Sequence, residues 1–192
     1  MKKGDIIVVP TDTVYGLAAC LYDDQALEKI YEIKGREQSK QIAILCANIG
    51  QLEGIVRIDE ASRALMEAFW PGSLTIVMKT TEQHKQKTGE DTIAVRMPKH
   101  RYLLNLIEVR GVLRVTSLNK SGEPPLHNIK DIHCQYGDLV SEIHTQDETV
   151  ASQIASTIVD VTTGRVNMIR QGSITVDDIN KVISGTSSKK QD

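Results

Sequence analysis

Residues 111–125, GVLRVTSLNKSGEPP, join a short apolar run to a loop of small polar side chains. Val112, Leu113 and Val115 predict a short buried strand. Thr116, Ser117, Asn119, Lys120 and Ser121 follow at once, then Gly122 and a Pro124-Pro125 stop. Hydroxyl and amide side chains at a strand exit place donors and acceptors on short, stiff arms, and Gly122 lets the backbone approach a ligand. Loops outside the carboxyl ends of strands are where α/β proteins build anion and nucleotide sites. An ordinary Ser/Gly/Pro turn has the same composition, so the meaning of the segment depends on what accompanies it.

The composition sets the class. A chain of 192 residues makes one large domain, or one domain and a small lobe. Such a domain buries roughly 70% of its unfolded surface and needs no disulfide or metal staple. Net charge of −2 gives no global drive towards nucleic acid. Aromatic content of 4% argues against a base-stacking platform of several rings. Cys20, Cys46 and Cys134 are far apart and odd in number, without ligand spacing, so reduced thiols in a cytoplasmic protein are expected, with Cys46 a buried one. No stretch is long and apolar enough to span a membrane.

Going outward, Asp5 to Val9 predicts a first strand, leading into Pro10-Thr11-Asp12-Thr13-Val14-Tyr15-Gly16-Leu17, another hydroxyl-rich strand exit. Asp23 or Asp24 caps a helix bearing Ala26, Leu27, Ile30 and Ile33, which ends in Lys34-Gly35-Arg36. Gln41 to Cys46 predicts a strand, and Asp59 starts a helix that stops at Pro71-Gly72. Leu74 to Met78 and Thr92 to Met97 predict strands around an exposed, mobile polar loop, Thr80 to Asp91. Tyr102 to Val109 and Ile129 to Cys134 predict helices. Leu139 to Ile143, Thr157 to Val161 and Val166 to Arg170 predict strands, with a charged bend at Gln146 to Glu148. Thr175 and Asp178 make a capping-box-like start to a last helix, and Ser184 to Asp192 reads as a disordered tail. His84, His100, His127, His133 and His144 show no ligand spacing and read as surface residues. Strands and helices intermingle without strict alternation, which favours an α/β domain with a mixed twisted sheet.

Four segments stand out together: residues 10–17, Lys34-Gly35-Arg36, Ala94-Val95-Arg96-Met97-Pro98 and Thr116-Ser117-Leu118-Asn119-Lys120-Ser121-Gly122. With Trp70-Pro71-Gly72-Ser73-Leu74-Thr75, Ser156-Thr157-Ile158-Val159-Asp160 and Ile169-Arg170-Gln171-Gly172, their order resembles the YrdC family of threonylcarbamoyl-AMP synthases from about Asp5 to Gly172. The resemblance implies a single YrdC-like catalytic domain over residues 1–183, with helices packed on a twisted mixed sheet and an open basic cavity. It implies condensation of L-threonine, bicarbonate and ATP to threonylcarbamoyl-AMP and pyrophosphate. The product would go to a downstream tRNA threonylcarbamoyl transferase complex, with contact to tRNA. By the same resemblance Lys34, Arg36, Thr116, Ser117, Asn119 and Arg170 hold ATP, with Lys34 and Arg36 as the catalytic cations. Thr13, Arg96, Thr116 and Ser156 hold L-threonine. Magnesium arrives on ATP, with no metal site of the protein's own.

The residue types fit that chemistry, because a triphosphate, a carboxylate and a carbamate must be neutralised in one cavity. Each residue also has a plainer reading. Lys34 and Arg36 suit a helix C-terminus, and Arg170 suits an edge strand. Asp160 caps or salt-bridges, and Tyr15 packs or stacks on a base. Arg96 in an apolar strand demands a partner. Two features depart from the pattern. Leu45 stands where many relatives carry a His, a Leu-Cys pairing similar to the paralogous YciO branch, and no extra C-terminal domain is expected. The alternatives are therefore a YciO-like nucleotide-binding protein or hydrolase, and an RNA-binding module.

Overall fold

The structure, a computed structural model, describes residues 1–145 and 154–187. The chain runs β1 (Ile7–Val9), β2 (Gly16–Cys20), α1 (Asp24–Lys34), β3 (Ile44–Leu45), α2 (Glu60–Phe69), β4 (Leu74–Lys79), α3 (Glu82–Thr88) and β5 (Thr92–Arg96). It continues through α4 (Arg101–Arg110), β6 (Leu113–Ser117), α5 (Ile129–Tyr136), β7 (Glu142–Ile143), β8 (Thr157–Asp160), β9 (Asn167–Arg170) and α6 (Val176–Ser187). The strands form one mixed sheet in the order β7-β1-β2-β6-β3-β5-β4-β8-β9. β1/β7, β3/β5 and β4/β8 are parallel, and the other neighbours are antiparallel.

Side-chain alternation along the strands divides the core between the two faces. Ile7, Val9, Ala18, Leu45, Leu113 and Val115 pack on Leu103 and Ile107 of α4. Val8, Leu17 and Ala19 point the other way, against Ala26 and Ile30 of α1. On that second face Ile44, Ile76, Ile93 and Val95 meet Leu65 and Met66 of α2 and Ile179 of α6. The caps follow the sequence closely. The Asp23 carboxylate accepts from Ala26 N, Gly35 ends α1 in the left-handed region at φ 57°, and Asp59 and Ser62 form a capping box on α2. Thr175 and Asp178 cap α6 reciprocally, each side chain accepting from the other's backbone N–H.

Several expectations are corrected. β3 is two residues long, because the backbone before it turns to guanidiniums: Arg36 donates to the Gln41 carbonyl and Arg114 to that of Ile42. The polar stretch 80–91 is anchored rather than loose. It holds α3, capped by Thr81, with the His84 ring fully buried. Glu90 is the anchor: its carboxylate accepts from Arg114 Nη1 and Nη2 at 3.0 and 2.5 Å, and lies 3.1 Å from His84 Nε2. His100 is also buried, its Nδ1 accepting from Leu103 N at the start of α4. The two histidines are inside because each supplies a hydrogen bond that closes a helix or an ion pair. α6 continues to Ser187, past the expected boundary at Ser184, and the rest of the predicted tail lies outside the described residues. So does the predicted bend at Gln146 to Glu148.

Candidate active site

Arg96, the last residue of β5, is 7% exposed, and its surroundings satisfy the demand that a charge in an apolar strand makes. Its Nε donates to the Gly72 carbonyl at 2.9 Å, Nη1 to the Thr13 hydroxyl at 3.0 Å and Nη2 to the Asp12 carboxylate at 2.6 Å. Burial pushes the guanidinium below its ordinary pKa, and the adjacent Asp12 carboxylate opposes that shift. The turn after β1 is itself fixed: the Thr11 hydroxyl donates to the Val14 carbonyl and accepts from the Val14 amide. Pro71-Gly72-Ser73-Leu74-Thr75 contributes the Gly72 carbonyl to Arg96 and the Thr75 hydroxyl to Ser156 Oγ, 2.8 Å away.

Ser156 and Arg170 meet where β8 pairs with β9. Arg170 Nε and Nη2 both donate to the Ser156 carbonyl, at 3.1 and 2.9 Å. Partial desolvation first, and the positive charge of Arg96 second, push the Arg170 guanidinium below its ordinary value. Two like charges therefore sense each other across the site. Gly172 makes the close approach possible, since a Cβ there would collide with the Ala155 carbonyl oxygen and lie 2.7 Å from Thr157 N. Asp160 takes the plain reading, its carboxylate accepting from Thr162 N at 2.7 Å.

On the other side, Arg36 donates from Nε to the Lys40 carbonyl and from Nη2 to the Gln41 carbonyl, leaving Nη1 uncommitted among the described residues. Thr116 and Ser117 close β6. Lys34 is turned inward. Its ammonium is held under the loop by the Ser117 carbonyl at 2.5 Å, the Asn119 carbonyl at 2.8 Å and Asn119 Oδ1 at 3.0 Å. Burial, with Arg36 as a lesser cause, pushes its pKa down to about 8. Cys46 is buried as expected, which pushes its thiol up to about 12 and makes it inert.

A cavity of about 430 Å3 lies between these groups, a volume in the range of small-molecule sites. Thr13, Arg36, Arg96, Ser117, Ser156 and Arg170 all line it, as do Thr116 and Tyr15. Lys34 and Asn119 do not. Among the described residues its lining holds three guanidiniums and no carboxylate, so it suits anions. Leu45 lines it too, an apolar patch beside the arginines. Among the described residues no group of three or more His, Cys, Asp or Glu could hold a metal ion. Sequence reasoning missed Thr75 as a ligand-side hydroxyl and Arg114 as a buried cation. Arg114 was detectable by the rule that flagged Arg96: a charge within an apolar strand.

The Sua5/YciO/YrdC family model, described as Telomere recombination, matches residues 1–172. A relative from Mycobacterium tuberculosis, provisionally named a threonylcarbamoyl-AMP synthase, is 32% identical over 95% of this chain and 85% of its own length. The threonylcarbamoyl-AMP synthase of Pyrococcus abyssi is 34% identical over 95% of this chain, which spans 55% of it. Among solved structures, P. abyssi Sua5 complexed with L-threonine superposes with a TM-score of 0.85 at 35% identity, covering 94% of this chain and 54% of that one. Escherichia coli YciO superposes at 0.80 with 25% identity, over 92% of this chain and 87% of that one. Sequence, fold and the ordered arginine and hydroxyl motifs agree: the chain belongs to the Sua5/YciO/YrdC family.

Proposed function

We propose that the cavity condenses L-threonine, bicarbonate and MgATP into threonylcarbamoyl-AMP and pyrophosphate. One observation carries the reading: among the described residues three guanidiniums and no carboxylate line a single cavity, and one of them is already fixed by Asp12, Thr13 and Gly72. Among the described residues Arg96 retains one uncommitted N–H on each η nitrogen, charged donors suited to the carboxylate of the amino acid. Thr13 and Ser156, with Thr116 nearby, offer hydroxyls for the rest of threonine. Arg36, Thr116, Ser117 and Arg170 face the phosphates.

The threonine amine attacks the bicarbonate carbon, and water leaves as the carbamate forms. A carbamate oxygen then attacks the α-phosphorus while the bond to the β-phosphate oxygen breaks and pyrophosphate departs with the magnesium. No protein nucleophile is needed. Arg36 and Arg170 would spread the charge of the transferring and leaving phosphates, so positioning and charge neutralisation supply the acceleration. The metal would travel with the nucleotide, held by its phosphates and water. The labile product would pass to a tRNA threonylcarbamoyl transferase, in a cytoplasmic setting. No helix among the described residues is long and apolar enough to cross a membrane.

Mass spectrometry of protein with ATP, magnesium, bicarbonate and L-threonine, against a control without threonine, tests this. A threonylcarbamoyl-AMP peak with matching pyrophosphate is expected. ATP loss independent of threonine would instead establish a YciO-like hydrolase, the alternative to which Leu45 in the cavity points.

A further inference from the structure

We propose that Lys34 is a strut that pre-forms the loop after β6, a positioning residue acting through Asn119 and the Ser117 carbonyl rather than a phosphate ligand. A lysine ammonium has three N–H donors, and three acceptors surround this one: Ser117 O, Asn119 O and Asn119 Oδ1, at 2.5, 2.8 and 3.0 Å. None is left for a phosphate. The side chain is 2% exposed and does not line the cavity, whereas Arg36, two residues on, does.

Asn119 is equally committed. Its Oδ1 also accepts from the Ser117 hydroxyl at 2.6 Å, and its Nδ2 donates to the carbonyls of Lys120 and Glu123 at 3.0 and 2.6 Å. The Ser121 amide returns to the Lys34 carbonyl at 2.8 Å, so the loop is tied at both ends of the same residue. The strut has a rigid root. The last turn of α1 is closed by Gly35 N on Glu32 O and Arg36 N on Tyr31 O, which fixes the backbone that carries Lys34. The three acceptors offset part of the cost of burying the ammonium, and an apolar side chain there would leave them without their common donor. Thr116 and Ser117 are thereby set for the nucleotide before it arrives, at no ordering cost on binding.

The functional consequence rests on the synthase reading, but the geometry does not, and the experiment separates them. Amide hydrogen exchange is followed by mass spectrometry on the nucleotide-free full chain as wild type, Lys34→Met, Asn119→Ala and the double variant. Lys34→Met should accelerate exchange across residues 117–123 by about tenfold or more while leaving β2 and β5 protected. Asn119→Ala should do the same, and the double variant should add little. A non-hydrolysable ATP analogue should restore protection in Lys34→Met, so that ATP KM rises while turnover at saturation largely recovers. Unchanged loop exchange in nucleotide-free Lys34→Met, together with lost analogue binding, would overturn the proposal and make Lys34 a direct ligand. Should Lys34→Met loosen the whole chain, Asn119→Ala decides by the same criterion. If the wild type makes no threonylcarbamoyl-AMP, the synthase reading fails while the exchange result still decides the strut.

Discussion

Replacing Arg96 by lysine keeps a positive charge beside Asp12 but removes the planar fork, and the structure specifies what that should do. Three acceptors already draw on the guanidinium: Gly72 O, the Thr13 hydroxyl and the Asp12 carboxylate. A lysine that satisfied all three would have no donor left for substrate. The loss is then two charge-assisted hydrogen bonds to the threonine carboxylate, nominally about 1.5–3 kcal/mol each. The retained charge recovers part of this, leaving about 3 kcal/mol, or roughly a hundredfold in affinity. Isothermal titration of L-threonine into Arg96→Lys should show that loss, while a non-hydrolysable ATP analogue binds within about threefold of wild type. Urea denaturation run in parallel separates a local change from lost stability. Threonine affinity within about threefold of wild type, or an equal loss for both ligands, would refute the division of the cavity into a carboxylate side and a phosphate side.

Two further predictions concern stability. Glu90→Ala strips a 2% exposed Arg114 of its carboxylate partner, so urea unfolding should report a loss of about 3–5 kcal/mol. Glu82→Ala, which breaks the exposed pair with Arg57, should cost less than about 1 kcal/mol, and equal losses would contradict the anchoring role of Glu90. The pKa of Lys34 is lowered in the folded chain, so burying its charge opposes folding below about pH 8, and that penalty is relieved as pH rises from about 8 towards 10.5. The stability of wild type relative to Lys34→Met should therefore climb across that window, and parallel pH profiles would rule the shift out.

Much of the fold was legible because it rests on local rules. Asp23, Gly35, Asp59 and the Thr175–Asp178 pair announce helix ends through hydrogen bonds made within a few residues. The alternation of Leu113 and Val115 against Arg114 follows from the pleat alone. The stretch 80–91 was misread for the opposite reason. Its local composition is polar, and contacts with distant residues draw it into the core: Glu90 with Arg114, 24 residues on, and Thr81 with Gly54 and Ile55. His84 went the same way, since a ring bonded to Glu90 on one side and Tyr22 on the other has no signature in its own neighbourhood. β3 was overpredicted because Gln41 and Ile42 look like strand yet give their carbonyls to guanidiniums.

The candidate site divides in the same way. By itself the sequence determined the inventory: which cations, hydroxyls and glycines stand at strand exits, and in what order, because strand exits and apolar periodicity are written in consecutive residues. The tertiary structure alone decided the contacts. It brought Arg96 to Asp12 across 84 positions and Arg170 to Ser156 across 14, and it turned Lys34 away from the cavity into the loop. Two cations spaced as Lys34-x-Arg36 look alike in sequence. They are separated by where their donors are spent: Arg36 on the Lys40 and Gln41 carbonyls close by in the chain, Lys34 on Ser117 and Asn119, which only the folded sheet brings within 3 Å.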